Sequence, residues 1–296
     1  MKRLLKWVGY VLGGIVAIVL LIIAGVYAVS GQRINKRYPT KVETVAVPGD
    51  SVSIERGHHL VFAVGRCVSC HGDNLAGQTL VDNLLMERLA SSNLTRGKGG
   101  VGSTYTNADW VRSIRYGVRS DGKPLLFMPS FVFYYFSDAD LGTIIAYLNS
   151  IPPADSEKAK TRIGPIGRAL SLFTDFPLIP AERVPRNTTR PAAVPTGVTK
   201  EYGEYLINTG GCRSCHTSNL SGGAKIAGVV SANLTPTGIG KWSEADFMKA
   251  IRTGVRPDGR ILSAVMPWSD MKYLTDDELR AMWMYLQTVP ATQKGG

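Results

Sequence analysis

The chain is 296 residues long, enough for two small domains with additions at an end or between them. Its formal net charge is +11, yet residues 1–41 alone hold seven Lys/Arg and no Asp or Glu, while the remainder carries 27 basic and 23 acidic side chains. A surplus that lies mostly in one terminal segment does not argue for nucleic-acid binding, and four cysteines, all used in two short motifs, leave none for a disulfide or a thiol nucleophile.

The first predicted element is Trp7 to Val29, 23 consecutive uncharged and mostly apolar residues. As a helix they span about 34 Å, against about 30 Å of hydrocarbon in a bilayer. This predicts a transmembrane anchor over residues 1–30. A cleaved signal peptide competes, with Ala28-Val29-Ser30 as a small-x-small site. The run is longer than the roughly 7–15 apolar residues of such signals, which favours a retained anchor. Lys/Arg flank both ends, so charge alone does not set the orientation. Residues 31–50 read as a basic tether. Its Arg33, Lys36, Arg37 and Lys41 lie either against anionic headgroups or in solvent.

Next comes Cys67-Val68-Ser69-Cys70-His71, copied later as Cys212-Arg213-Ser214-Cys215-His216. C-x-x-C-H is the attachment sequence for a c-type haem. Two thiols one helical turn apart can add to the two vinyl groups of one porphyrin, and the adjoining histidine reaches the iron. A dithiol redox pair needs no following histidine, and no βαβ pattern surrounds either copy. A zinc site would join cysteines about 145 positions apart and leave both histidines idle. The prediction is two covalently attached haem c groups, with His71 and His216 as proximal ligands. Attachment of this kind takes place outside the cytoplasm. The expected placement is therefore a single pass of the inner (cytoplasmic) membrane, N terminus inside, haem domains on the periplasmic or extracytoplasmic side.

The two motifs lie in an internal repeat, Gly57 to Pro152 and Gly203 to Pro290. Both copies open with a short amphipathic helix. Both have Asn-Leu after the histidine (Asn74-Leu75, Asn219-Leu220) and Asn-Leu-Thr further on (Asn93-Leu94-Thr95, Asn233-Leu234-Thr235). The matched Asn-Leu-Thr places argue for a shared turn over a glycan site. Both continue with a helix ending Ile-Arg-x-Gly-Val-Arg, then a loop with Met-Pro, then a helix capped by Ser137 or Thr275 with acids in its first turn. No period-two strand run is found, so both halves read as mostly helical. Domains are expected over residues 51–153 and 199–296, each complete in itself. Residues 154–198 form a proline-rich linker with one short helix over Ile166 to Phe173.

Met128 follows His71 by 57 residues and Met266 follows His216 by 50, each just before a proline in a loop. Proline fixes the local backbone and helps a loop present the thioether, so both are predicted as sixth ligands of the iron. Met248 and Met282 fall on helix faces and read as packing. Arg115 and Arg252 recur at matched places; each is either a bidentate partner for a haem propionate or a solvated or turn-stabilising charge. His58 and His59 read as solvated or satisfied helix residues, and Trp110 and Trp242 as packing.

On these residues each half resembles a class I cytochrome c domain: C-x-x-C-H after a first helix, Met-Pro in a late loop, a closing helix ending near proline. The second half, with Asn233-Leu234-Thr235-Pro236, Gly238 to Ser243, Asp246-Phe247 and Met266-Pro267, is similar to domains in the cytochrome c subunits of membrane-bound bacterial dehydrogenases. The first half keeps that framework with a longer loop, Lys98 to Thr106. The chain departs from those subunits in having two haem motifs, not three, and an N-terminal anchor. The resemblance implies a mostly α fold of two tandem class I cytochrome c domains behind an N-terminal transmembrane helix. It implies electron transfer between redox partner proteins or complex subunits of a respiratory or photosynthetic membrane complex, with no small-molecule substrate. The competing reading is a dihaem peroxidase, which needs an open iron and an acid/base group beside it. A third is a structural cytochrome in a larger assembly.

Overall fold

The computed structural model describes residues 1–157, 160–174, 178–185 and 189–295. Helix α1 (Lys2–Asn35) has no acidic residue, is exposed over residues 1–25, and is long and apolar enough to cross a membrane. It does not end with its apolar run. It continues past Val29, and the chain then lies along the first half. The segment expected as a basic tether, residues 31–50, makes contacts with the rest of the chain. Arg33 pairs with Glu182 at 2.5 Å and donates to the Ser171 carbonyl. Tyr38 donates to the same Glu182, and Tyr38 and Val45 are buried. The reason is in the composition: Tyr38, Val42, Val45 and Val47 alternate with the charges and bury against the domain.

The first half contains α2 (Ser51–His59), prolonged by a wide turn over Leu60–Val64, then α3 (Cys67–His71), a hairpin of β1 (Thr79–Asp82) and β2 (Glu87–Ala90), α4 (Asn107–Tyr116), the short α5 (Ser130–Phe133) and α6 (Asp138–Ser150). The linker contributes β3 (Arg162–Ile163) and α7 (Pro165–Phe173), the latter where a helix is predicted. The second half repeats the plan with α8 (Lys200–Thr209), α9 (Cys212–His216), the hairpin β4 (Lys225–Ile226) and β5 (Val229–Val230), α10 (Pro236–Ile239), α11 (Glu244–Thr253) and α12 (Asp276–Leu286). Thr106 with Asp109, Ser243 with Asp246, and Thr275 with Glu278 form reciprocal capping boxes at α4, α11 and α12. The opening and closing helices of each half pack at a glycine. A Cβ at Gly57 would collide with the Thr143 carbonyl, and one at Gly203 with that of Ala281.

Strands are present where none is expected. They run two to four residues, too short to display alternation, and β3 pairs with β2 from outside the predicted domain, Glu87 opposite Ile163. The linker is therefore bound to the first half. The halves are joined as well: one apolar cluster includes Leu60, Val64 and Phe136 together with Leu206, Met271 and Met282. Arg66 donates to the Gly210 carbonyl at 2.8 Å, and Ser69 to Asp270 at 2.8 Å. The two repeats thus share a core.

Candidate haem sites

The backbone around the two C-x-x-C-H motifs is the same twice over. Arg66 and Gly211 precede the first cysteine in left-handed conformations, φ 49° and 76°. Gly72 and Thr217 follow the histidine at φ 78° and 69°, and Leu75 and Leu220 adopt φ 57° and 63° with fully buried side chains. Positive φ at a branched apolar residue is uncommon, and burial of the leucine holds it there. This turns the chain back so that the Asn-Leu-Thr segments pack beneath. Asn93 caps Thr95 N and donates to the Ala154 carbonyl; Asn233 caps Thr235 N and donates to the Thr292 carbonyl. Both asparagines are buried, which fits the shared turn.

His71 Nδ1 is 2.8 Å from the Ser92 carbonyl and His216 Nδ1 is 2.7 Å from that of Ala232. A carbonyl only accepts, so Nδ1 carries the proton and Nε2 is left with its lone pair, the state a metal ligand requires. Burial lowers the pKa of both rings and keeps them neutral. Burial also pushes the Cys67 thiol up to about 12 and the Cys212 thiol up to about 11, which works against thiolate redox or zinc chemistry. Among the described residues no group of three or more His, Cys, Asp or Glu is placed to hold a metal ion.

Met128 and Met266 are half-buried against the core at matched turns. Pro129 and Pro267 have nearly one conformation, φ −78°, ψ 56° and φ −80°, ψ 51°. The methionine carbonyls accept from Ser130 N at 2.7 Å and Trp268 N at 2.8 Å. Met282 is buried and Met248 packs against the core, as predicted.

Arg115 and Arg252 both bond to groups of the protein itself. Arg115 is fully buried, bonded to Glu43, to the Phe136 carbonyl at 2.9 Å and to Asp138 at 2.6 Å. Arg252 bonds the Lys272 carbonyl and, at 2.9 Å, Asp276. Asp138 and Asp276 are the first residues of α6 and α12, so each arginine ties α4 or α11 to the start of the closing helix. The Arg115 Nε is buried and has no acceptor among the described residues. Sequence reasoning missed Trp110. Its indole is 2% exposed and its Nε1 has no acceptor. A buried N–H left unmatched is costly unless a further group accepts from it, as an anionic edge of a bound prosthetic group would. The matched residue in the second half is Phe247, which has no such donor.

Between the halves lies a buried polar cluster with approximate two-fold symmetry. Asp140 accepts from Arg56 of its own half at 3.1 Å and from Tyr205 of the other at 2.7 Å. Glu278 accepts from Tyr202 of its own half at 3.1 Å and meets His59 of the other at 2.8 Å. His59 is thus a satisfied histidine; His58 lies 3.5 Å from Glu55 and against Phe62 and Tyr147.

Two copies of a haem-attachment turn with an oriented imidazole, each followed by a Met-Pro turn in a small helical framework, define a c-type cytochrome. The chain belongs to the family described as "Cytochrome C oxidase, cbb3-type, subunit III", whose model matches residues 53–148 and 199–286. It is 28% identical over 271 residues to the fructose dehydrogenase cytochrome subunit of Gluconobacter japonicus, covering 82% of this chain and 54% of that one. It is 27% identical to the cytochrome c subunit of the quinone-type alcohol dehydrogenase of Gluconobacter oxydans, covering 84% and 57%. A shorter match, 36% over 96 residues, is to the gluconate 2-dehydrogenase cytochrome c subunit of Pantoea cypripedii, covering 28% and 21%. The chain thus spans about half the length of the curated relatives it matches along most of its length. Covalently bound haem c goes with the family, and the oriented imidazoles and the unmatched Trp110 donor fit it.

Proposed function

We propose that this chain is a membrane-anchored cytochrome c with two haem groups, relaying single electrons as the cytochrome subunit of a membrane-bound dehydrogenase. Cys67 and Cys70 would hold the first haem, with His71 and Met128 supplying ligands to its iron; Cys212, Cys215, His216 and Met266 would do the same for the second. Helix α1 crosses the cytoplasmic membrane once, N terminus inside, and the haem domains, residues 51–153 and 199–296, lie outside. Bound haem supplies reversible one-electron chemistry at iron. The residues supply the rest. The carbonyls of Ser92 and Ala232 hold the tautomer and ring plane of the proximal histidines. The Met-Pro turns present the thioethers, which raises the potential relative to two nitrogen ligands. The unmatched Trp110 indole N–H would be available to an anionic edge of the haem in the first half alone, which would make the two sites unequal. The names of the relatives, cytochrome subunits of sugar, alcohol and gluconate dehydrogenases, support the subunit role. The substrate is then oxidised on a partner, and this chain takes no small molecule.

The observation that carries this reading is the paired backbone geometry around Cys67–His71 and Cys212–His216. The test is haem content and carbon monoxide binding of the purified full-length protein. Two haems per chain and almost no carbon monoxide bound by the reduced form are expected. One full equivalent of carbon monoxide would reveal an open iron and move a peroxidase-type enzyme ahead.

A further inference from the structure

Helix α7, Pro-Ile-Gly-Arg-Ala-Leu-Ser-Leu-Phe, has one charged side chain and no acid. That charge is turned inward. The Arg168 guanidinium lies 4.6 Å over the Tyr27 ring and donates to Ser30 Oγ at 2.9 Å and to the Ile163 carbonyl at 3.2 Å. Arg33 closes the contact from α1 by donating to the Ser171 carbonyl at 2.6 Å. So α7 is docked on α1 where the apolar run gives way to polar residues.

The other side of α7 is bare and apolar. Phe173 is 77% exposed and Ile166 44%, with Leu170 between them. The β1–β2 turn extends the patch: Leu84 and Leu85 are 71% and 55% exposed, and the Leu85 carbonyl accepts from Ile166 N at 3.0 Å. The order of contacts sets the direction. Arg168 meets Tyr27 and Ser30, and Ser171 meets Arg33, so α7 rises along α1 in the same sense. Its first turn and the Leu84-Leu85 tip therefore point back toward the apolar run, and Phe173 points toward the headgroups. A cluster of exposed large apolar side chains in water is unfavourable and marks a surface that meets something.

We propose that α7 and the Leu84-Leu85 turn are a second membrane contact: they enter the outer face of the bilayer that α1 crosses. The occupant is lipid because the patch continues the surface of the span itself, at the level where the span leaves the hydrocarbon, and because the helix turns its only charge away from that surface. Together with the packed segment after Asn35, this contact fixes the tilt of the first half on the membrane, where a single helix on a loose tether would leave it free to swing. The inference rests on the reading of α1 as a membrane span.

The test places the photocrosslinking residue p-benzoylphenylalanine at single positions of the full-length chain, in phosphatidylcholine–phosphatidylglycerol liposomes and in native membranes. The positions are Leu85, Ile166 and Phe173. Val16, in the middle of α1, reports the span, and Ile261, 74% exposed in the second half, reports solvent. Lipid-mass adducts are expected at Leu85, Ile166 and Val16 in both settings, at Phe173 in the headgroup region, and none at Ile261. Adducts at Val16 without any at Leu85, Ile166 and Phe173 would overturn the second contact and leave the span standing. Adducts of Leu85 or Ile166 to another polypeptide in native membranes would also overturn it, in favour of a protein partner. Loss of the adduct at Val16 as well would remove the span, and this contact with it.

Discussion

The imidazoles of His71 and His216 differ from a generic histidine in one respect: each has its Nδ1 proton assigned to a backbone carbonyl, so Nε2 is free to ligate. The thioethers of Met128 and Met266 have no such anchor, since a methionine sulfur is a weak acceptor and is positioned by the backbone alone. The near-identity of Pro129 and Pro267 is therefore what makes Met128 and Met266 a pair. Replacing Met266 with Ala is expected to open the second iron alone. The reduced variant would bind about one carbon monoxide per chain, and the potential of one haem would fall because the soft sulfur favours the ferrous state. Two carbon monoxide molecules, or none, would show that Met266 is not the ligand. At this scale the two C-x-x-C-H motifs are plain in the sequence, because covalent attachment demands a fixed spacing. It does not display Trp110, because an unmatched N–H exists only once the surrounding acceptors are known. Nor does it display the ties of Arg115 to Asp138 and of Arg252 to Asp276, which exist only once the helices are packed.

The opening and closing helices do two jobs. Within each half they cross at Gly57 or Gly203; between the halves they present acids at matched places, Asp140 on α6 and Glu278 on α12. Glu278 is 3% exposed. Burial alone would raise its pKa, but the bonds from His59, Tyr202 and Thr275 N outweigh it and hold the carboxyl below its usual range. A carboxyl depressed in the folded state adds stability above its unfolded pKa of about 4.3, and that stability is lost as pH falls through the lower folded value. Glu278→Gln is therefore expected to destabilise the protein at neutral pH. The gap from the unmodified protein should close progressively below about pH 4, as the native Glu278 takes up its own proton. Urea denaturation of both proteins across pH 3–7 measures this; a gap independent of pH would show that the charge of Glu278 contributes nothing. The helices themselves are legible from caps and periodicity. Their partners across the interface are not, since Arg56 matches Tyr202 in the repeat and His59 matches Tyr205, unlike residues that become equivalent only when the halves are docked.

At the scale of the whole molecule, the repeat is readable and the way its copies combine is not. Local motifs recur whether or not the copies touch, so a proline-rich linker between them reads as a strap between separate domains. The chain instead spends that linker on contacts: β3 on the first half, α7 on α1, and the Ala192 carbonyl accepting from Ala139 N at 2.9 Å. The halves then share apolar core around Val64, Leu206, Met271 and Met282, and the polar cluster around Asp140 and Glu278 is completed only by residues from both. A buried acid that loses half its donors keeps its desolvation cost and forfeits its compensation, so parting the halves is unfavourable beyond the apolar area exposed. Cleavage at a protease site inserted after Thr196, in an exposed stretch of the linker, is therefore expected to leave one particle. The two fragments would migrate together in size-exclusion chromatography at neutral pH and moderate salt, with haem spectra unchanged, and separate only on denaturation. Fragments that elute apart under native conditions, each keeping its own haem, would show that the shared core does not hold the halves and that each repeat stands as an independent cytochrome.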